Sequence, residues 1–152
     1  MTMLEVIRSR PFSKAKAELS EVMTQVVREH RPTVIARGGG KEAMVALELD
    51  DFRLLLGSFQ FEPHVSFGDE GVVAAIESFG LIGHGSDLDR AMNDLLEELR
   101  AYASDYIRRY AFYAQTNRRA HAPWIMRFAA TPVEEQLALL SQQPTEDAAV
   151  TR

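Results

Sequence analysis

The sequence predicts an α+β protein with two small units followed by a helical segment. Apolar residues recur at spacings of three and four over residues 15–30 and 88–109, a period typical of amphipathic helices. Short apolar and β-branched runs separated by turn residues are typical of strands. We therefore expect a first unit over residues 1–57, a second over 62–107, a helical segment over 108–141 and a polar tail over 142–152.

The first unit is expected to begin with a strand and a helix. The apolar run over residues 4–8 predicts a short strand, and Ser13 is a candidate N-cap for the helix that follows. The helix should end near His30, because Pro32 cannot continue it. Its apolar face predicts a dimer, since a unit of under about 60 residues buries too little surface to be comfortable alone.

A hairpin and a short helix are expected to complete the first unit in the order β-α-β-β-α. Two apolar strands are predicted over residues 33–36 and 43–49, around a turn with three glycines that tolerate positive φ. Asp50 or Asp51 then caps a short helix that ends at Gly57.

The second unit is expected to combine a small sheet with the longest helix of the chain. Its predicted strands cover residues 64–67, 72–76 and 79–84. Ser86 or Asp87 is a candidate cap for the long helix, which reaches about Arg109. Thr131, followed by a proline and two glutamates, is a candidate cap for a final helix that ends near Leu140.

Charge and composition limit the class of protein. The 152 residues carry a net charge of -5 and no cysteine, which excludes disulfides and thiolate metal ligands. Residues 1–41 hold eight basic against four acidic residues, whereas residues 58–107 hold two arginines against ten acidic residues. The first segment is therefore the one suited to a polyanion. No apolar run is long enough for a membrane span, so we expect a cytoplasmic protein.

No group of residues in the sequence predicts catalysis. The run from Arg37 to Lys41 is rich in glycine, but it lacks the first glycine of a phosphate-binding loop, and Glu42 follows where Ser or Thr is needed. The four histidines lack the spacing of metal ligands, and Ser86 lacks the flanking glycines of a nucleophile elbow. We expect no enzyme activity, no cofactor and no metal.

The first unit resembles the Phd/YefM antitoxin family over about residues 3–57. The resemblance rests on an ordered set of features: an aromatic-Ser-x-Ala-basic helix start at residues 12–16, a proline that closes the helix, a strand that ends in Arg37, a glycine turn and an Asp-Asp-aromatic helix start at residues 50–52. The resemblance implies a homodimer that binds operator DNA through Lys16 and Arg37. Weaker candidates for DNA contacts are Arg8, Arg10, Lys14 and Lys41.

Residues 65–107 have a weaker resemblance to the HicB-like antitoxin domain. The shared pattern is three strands with an acidic-glycine turn, then a helix start that here reads Gly-Ser-Asp-Leu-Asp-Arg-Ala over residues 85–91. Arg90 stands where that domain usually has glutamate. The resemblance implies toxin binding or assembly and no catalysis. An unrelated small α+β unit is the alternative.

Together these features predict the antitoxin of a type II toxin–antitoxin pair, with a RelE-like toxin implied by the resemblance. The alternatives are a stand-alone transcriptional regulator without a toxin, and a small enzyme with its site at a dimer interface. Toxin binding is assigned to residues 106–140, where aromatic and basic residues are dense. The candidate anchors are Tyr110, Tyr113, Trp124, Met126 and Phe128. The alternative is that this segment folds back on the acidic second unit.

Overall fold

The computed structural model describes residues 7–141, and the chain divides between Leu55 and Leu56 into two compact units. Each unit has its own three-stranded sheet, so the chain is of the α+β class. No helix within residues 7–141 combines the length and the apolar character that a membrane span needs.

The first unit is built on a mixed sheet in the order β1-β2-β3. β1 runs parallel to β2, whereas β3 is antiparallel to β2. Its elements are β1 (Arg8–Pro11), α1 (Phe12–Ala17), α2 (Leu19–Arg28), β2 (Thr33–Arg37), β3 (Glu42–Ala46) and α3 (Leu49–Leu55).

The start of this unit differs from the sequence prediction in two respects. The first strand was expected over residues 4–8. Residues 4–6 lie outside the described residues, and β1 continues to Pro11. The single predicted helix is two helices, because Glu18 leaves the helical conformation at φ -114° and ψ 29°. Ser13 lies inside α1 and does not cap it, since α1 begins directly after the extended residue Pro11.

The cap of α3 also differs from the prediction. The backbone N–H of Asp51 donates to the Glu48 side chain at 2.8 Å, so Glu48 satisfies the start of the helix rather than Asp50 or Asp51. The carboxylate of Asp51 instead pairs with Nδ1 of His30 at 2.7 Å, which raises the pKa of His30 through that hydrogen bond and the negative charge. A free N–H at the start of a helix can thus be satisfied by a glutamate side chain three residues earlier.

The apolar core of the first unit is small. Its buried apolar residues are Ala15, Val22, Val26 and Ile35. The other apolar side of α2 lies in solvent, because Leu19, Met23 and Val27 are 59%, 65% and 42% exposed. These three residues, spaced by four, are called the α2 stripe below. The predicted apolar face of this helix is therefore divided between a buried side and an exposed side.

The second unit packs a long helix on an antiparallel sheet in the order β4-β5-β6. Three short helices follow the long one and complete the core. The elements are β4 (His64–Gly68), β5 (Gly71–Ile76), β6 (Leu81–Gly85), α4 (Leu88–Arg108), α5 (Tyr110–Tyr113), α6 (Ala122–Ala129) and α7 (Gln136–Ser141).

Three details of the second unit bear on the sequence prediction. Asp87, one of the two predicted candidates, caps α4. Its side chain accepts a hydrogen bond from the backbone N–H of Arg90 at 2.9 Å. Phe79, expected in the third strand, lies in a 3-10 turn that ends at Gly80 with φ 68°. Thr131 does not cap the last helix, because its hydroxyl donates to the carbonyl of Arg127 at 2.7 Å. A 3-10 turn over Val133–Glu135 precedes α7.

Two glycines of β6 allow α4 to lie directly on the sheet. A Cβ atom at Gly83 would collide with backbone atoms of Ala91 and Leu95, and one at Gly85 would collide with Ala91. Because backbone atoms cannot move aside as a flexible side chain can, the helix and strand are close only while both positions lack a side chain. Leu95 and Leu99 are fully buried at this contact.

We expect Gly83→Ala to destabilise the protein by about 1 to 3 kcal/mol or more, since overpacking at a backbone contact forces the helix away from the sheet. The matched control is Gly68→Ala, whose Cβ would meet no atom nearer than 3.9 Å. Chemical denaturation monitored by circular dichroism measures both. Equal stability of the two variants would contradict this account of the α4 contact.

Candidate functional site

The parallel pairing of β1 and β2 places the start of α1 beside the end of β2. Pro11 is in register with Ala36, so Phe12 and Arg37 follow as neighbours. The Arg37 guanidinium lies 5.8 Å from the centroid of the Phe12 ring, within the range of a cation–π contact. The β1–β2 pairing thus brings together the two motifs that the sequence separates by more than twenty residues.

Arg37 also pairs with Glu42 across the hairpin. The two residues are opposite each other in the β2–β3 register, and Nε of Arg37 donates to the Glu42 carboxylate. Both side chains are 63% exposed. The glycine turn between them has three positive φ angles, at Gly38, Gly39 and Gly40. This partner was missed in the sequence, although its position after the turn is the one that faces the end of β2.

The lysines near this end of the sheet are exposed. Lys14 and Lys16 flank the buried Ala15 on α1, and Lys41 closes the glycine turn. Within residues 7–141 none of the three forms an ion pair. A groove of about 690 Å³, open to solvent, runs between the start of α1 and the glycine turn. The name basic end is used below for Lys14, Lys16, Arg37 and Lys41.

The two remaining candidate arginines of the first unit differ from the basic end. Arg10 is only 12% exposed and donates to Glu18 at 3.0 Å and to Gln25 at 2.9 Å, so its guanidinium holds β1 against the helices. Arg8 is exposed but lies at the opposite end of β1, in register with Thr33. Arg10 also lines the groove beside Arg37, but its guanidinium is engaged within the unit, and Arg8 is at the far end of the strand.

The aromatic residues assigned to toxin binding are mostly part of the core of the second unit. Phe128 is 3% exposed. Trp124 donates its Nε1–H to the carbonyl of Gln60 at 2.9 Å, and Tyr113 stacks on Tyr106 with ring centroids 4.8 Å apart. The fold-back alternative therefore accounts for these three rings. Burying a large apolar side chain within the chain is favourable in free energy, because it removes apolar surface from water.

Hydrogen bonds and charges hold this aromatic cluster in place. The Tyr113 hydroxyl donates to Asp105 at 2.7 Å, which lowers the pKa of Asp105 and raises that of Tyr113. His121 stacks on Phe79 at 4.1 Å and meets the Tyr102 hydroxyl at 2.7 Å, and burial lowers its pKa. These contacts account for the position of His121 as a packed, hydrogen-bonded side chain.

A smaller group of apolar residues remains exposed at the end of α4. Tyr110 and Met126, from the candidate list, are 44% and 46% exposed. Ile107 and Phe112, which are not among the five candidate anchors, are both 54% exposed. The Arg109 guanidinium lies 4.7 Å from the Phe112 ring centroid. The exposed aromatic surface below means Ile107, Tyr110 and Phe112.

One group of possible metal ligands occurs within residues 7–141. Atoms of His30, Glu48 and Asp51 lie within 4.8 Å of one another. Contacts within the chain already engage all three, because Asp51 pairs with His30 and Glu48 caps α3. The arrangement ties the end of α2 to the start of α3 and needs no ion to explain it.

A family profile named PHD-like and described as "Antitoxin of toxin-antitoxin, RelE / RelB, TA system" matches residues 3–142. The chain belongs to this antitoxin family. The match covers both units, so the second unit is part of the antitoxin rather than an unrelated addition. The family is one of regulatory proteins and not of enzymes. A comparison with curated proteins found no match.

The antitoxin also has a structural neighbour. A crystal structure described as the antitoxin part of a proposed toxin/antitoxin system, from Syntrophomonas wolfei subsp. wolfei, aligns with a TM-score of 0.76 and 19% sequence identity. The alignment covers 88% of this chain and 96% of that chain. At this identity the likeness shows a shared fold, over nearly the whole of both chains.

Proposed function

We propose that this antitoxin represses its own operon by binding operator DNA through a dimer of the first unit, and neutralises a RelE-like toxin through the second unit. The basic end carries the DNA part of the proposal. It holds four exposed basic residues on α1 and around the glycine turn, and the three lysines have no acidic partner within residues 7–141. Phosphate contacts of this kind supply most of the affinity of proteins for duplex DNA.

The α2 stripe supports the dimer. Leu19, Met23 and Val27 form a continuous apolar row on a unit whose own core holds four buried apolar residues. Covering this row with the same row of a second copy is an isologous contact, in which one surface serves both partners. A twofold arrangement also sets two basic ends on one duplex, as a symmetric operator requires.

The exposed aromatic surface supports the toxin part of the proposal. Aromatic residues and arginine are enriched where proteins bind each other tightly. Tyr110 and Phe112 remain in solvent although the neighbouring Tyr106 and Tyr113 are packed. The family description names the RelE/RelB system, which favours a toxin of the RelE class. A regulator without a toxin, the alternative, would not bind the product of an adjacent gene.

We expect Lys16→Ala and Arg37→Ala each to weaken binding of the promoter fragment. Each should lower the slope of log affinity against log salt by about one, since each phosphate contact releases about one counterion. Lys16→Arg should tighten binding, because arginine can form two parallel hydrogen bonds with a phosphate or a guanine edge. Fluorescence anisotropy over a salt series measures these effects.

The control for the DNA experiment is Arg119→Ala, which removes one exposed positive charge from the second unit. It should leave both the affinity and the salt slope unchanged. If Lys16→Ala and Arg37→Ala behave like Arg119→Ala, the basic end does not bind DNA and this part of the proposal fails.

We expect Met23→Asp to disrupt the dimer of the first unit and to abolish operator binding, because the twofold contact would bury two unpaired carboxylates. Val133→Asp is the matched control, since Val133 is 64% exposed and Met23 is 65% exposed. Sedimentation velocity measures the mass and circular dichroism the fold. An unchanged mass and unchanged DNA binding for Met23→Asp would argue against the α2 stripe as an interface.

We expect the double variant Tyr110→Ala with Phe112→Ala to weaken toxin binding by about tenfold or more while the antitoxin stays folded. Ile82→Ala removes an exposed apolar group from the sheet of the same unit and should leave binding unchanged. Co-purification with the product of the adjacent gene, followed by titration calorimetry, provides the comparison. Retention of full affinity by the double variant would place the toxin site elsewhere.

A further inference from the structure

The outer edge of β4 has unused backbone hydrogen-bonding groups. Gly68 and Gly71 are the paired residues on either side of the two-residue turn, and such closing pairs are hydrogen-bonded to each other. Because hydrogen-bonded and non-hydrogen-bonded pairs alternate along an antiparallel ladder, the N–H and C=O groups of Val65 and Phe67 point away from β5. No backbone or side-chain group within residues 7–141 bonds to them.

The opposite edge of the same sheet is satisfied in part by α4. The same alternation directs the backbone N–H of His84, on β6, away from β5. Asp94 of α4 accepts this N–H through its carboxylate at 2.8 Å. A side chain of the long helix thus satisfies one backbone group of the β6 edge, and within the described residues the β4 edge has no such contact.

The side chains of the open edge are apolar and uncovered. Val65 and Phe67 are opposite Ala74 and Val72, so they lie on the face of the sheet that carries α4. The helix buries Val72 and Ala74 but leaves Phe67 73% exposed and Val65 36% exposed. An uncovered phenylalanine next to free backbone groups is a surface prepared for one more strand.

The absence of charged side chains on β4 bears on which partner can pair with it. Proteins usually protect an edge with lysine, proline or an inward charge, whereas residues 64–68 contain no acidic residue, lysine, arginine or proline. The surrounding segment, residues 58–107, carries a net charge of -8, so two copies repel each other where its acidic side chains meet. Two β4 strands place no like charges opposite each other, which makes this edge the place where copies approach at least cost.

We propose that β4 pairs antiparallel with β4 of a second copy of this chain, with the twofold axis at Ser66. In this register Val65 is opposite Phe67 of the second copy, and the outward groups of both residues in both copies are used. A shift by two residues would bring Pro63, which has no N–H, or the acidic Asp69 against the edge. The result is a continuous six-stranded sheet with the two α4 helices on one face.

This contact is separate from the α2 stripe and does not depend on the proposed DNA or toxin binding. Where both contacts form, the chain assembles beyond a dimer. Where β4 pairing alone forms, the chain is a dimer. The two contacts can therefore be removed one at a time.

Disulfide trapping tests the register, because the chain has no cysteine of its own. Two Ser66→Cys residues would face each other with Cα atoms about 4.5 Å apart, within the range of a disulfide. His64→Cys is the matched control on the same strand and face, where the two cysteines would be about 13 Å apart. We expect a covalent dimer from Ser66→Cys and none from His64→Cys on a non-reducing gel. Equal trapping of both, or of neither, would overturn the proposed register.

Sedimentation over a concentration series tests the interface itself. We make Phe67→Lys and Ile82→Lys in the Met23→Asp background, so that the α2 stripe does not contribute. Phe67→Lys should shift the protein to a monomer, whereas Ile82→Lys, a 51% exposed position on the other edge, should keep the mass of its parent. Equal masses for the two variants would refute β4 pairing. Loss of toxin co-purification by Phe67→Lys at unchanged mass would also refute it, and would assign the edge to the toxin.

Discussion

The close contact of α4 with β6 is the constraint on which the second unit depends. Gly83 and Gly85 let the helix backbone approach the strand, and this position brings Asp94 within hydrogen-bonding distance of the His84 N–H. The helix lies over β6 and β5 rather than over β4. This packing therefore engages the His84 N–H at one edge of the sheet, whereas Phe67 at the other edge remains in solvent.

In the first unit, the parallel pairing of β1 and β2 has a comparable effect. It aligns the start of α1 with the end of β2, which brings Arg37 to Phe12. Arg10, on β1, instead pairs with Glu18, the residue at which the helix breaks. The two arginines differ in exposure, because the Arg10 side chain is 12% exposed between β1 and the helices, whereas the Arg37 side chain is 63% exposed.

Periodicity located most of the helices and strands, since an amphipathic pattern reports which side of an element is buried. It could not identify the caps, and the predicted caps Ser13 and Thr131 are wrong, because capping depends on which side chain reaches a free N–H. It also could not separate the aromatic residues. Phe128 and Phe112 are the same residue type and have similar neighbours in the sequence, yet Phe128 is buried and Phe112 is 54% exposed. Only the packing of α6 against α4 decides between them.

The proposed DNA contact depends on the proposed dimer, because one copy cannot supply the free-energy difference between specific and nonspecific DNA. Lysine at position 16 cannot make the paired hydrogen bonds by which arginine reads a guanine, and Arg37 already uses its Nε on Glu42. Each good base contact contributes about 1 to 3 kcal/mol of discrimination, whereas specific sites are preferred over other DNA by about 4 to 10 kcal/mol. One copy offers too few contacts to reach that difference. In the proposed dimer the α2 stripe would hold two copies together and double the number, which would make the exposed apolar row a condition for operator specificity.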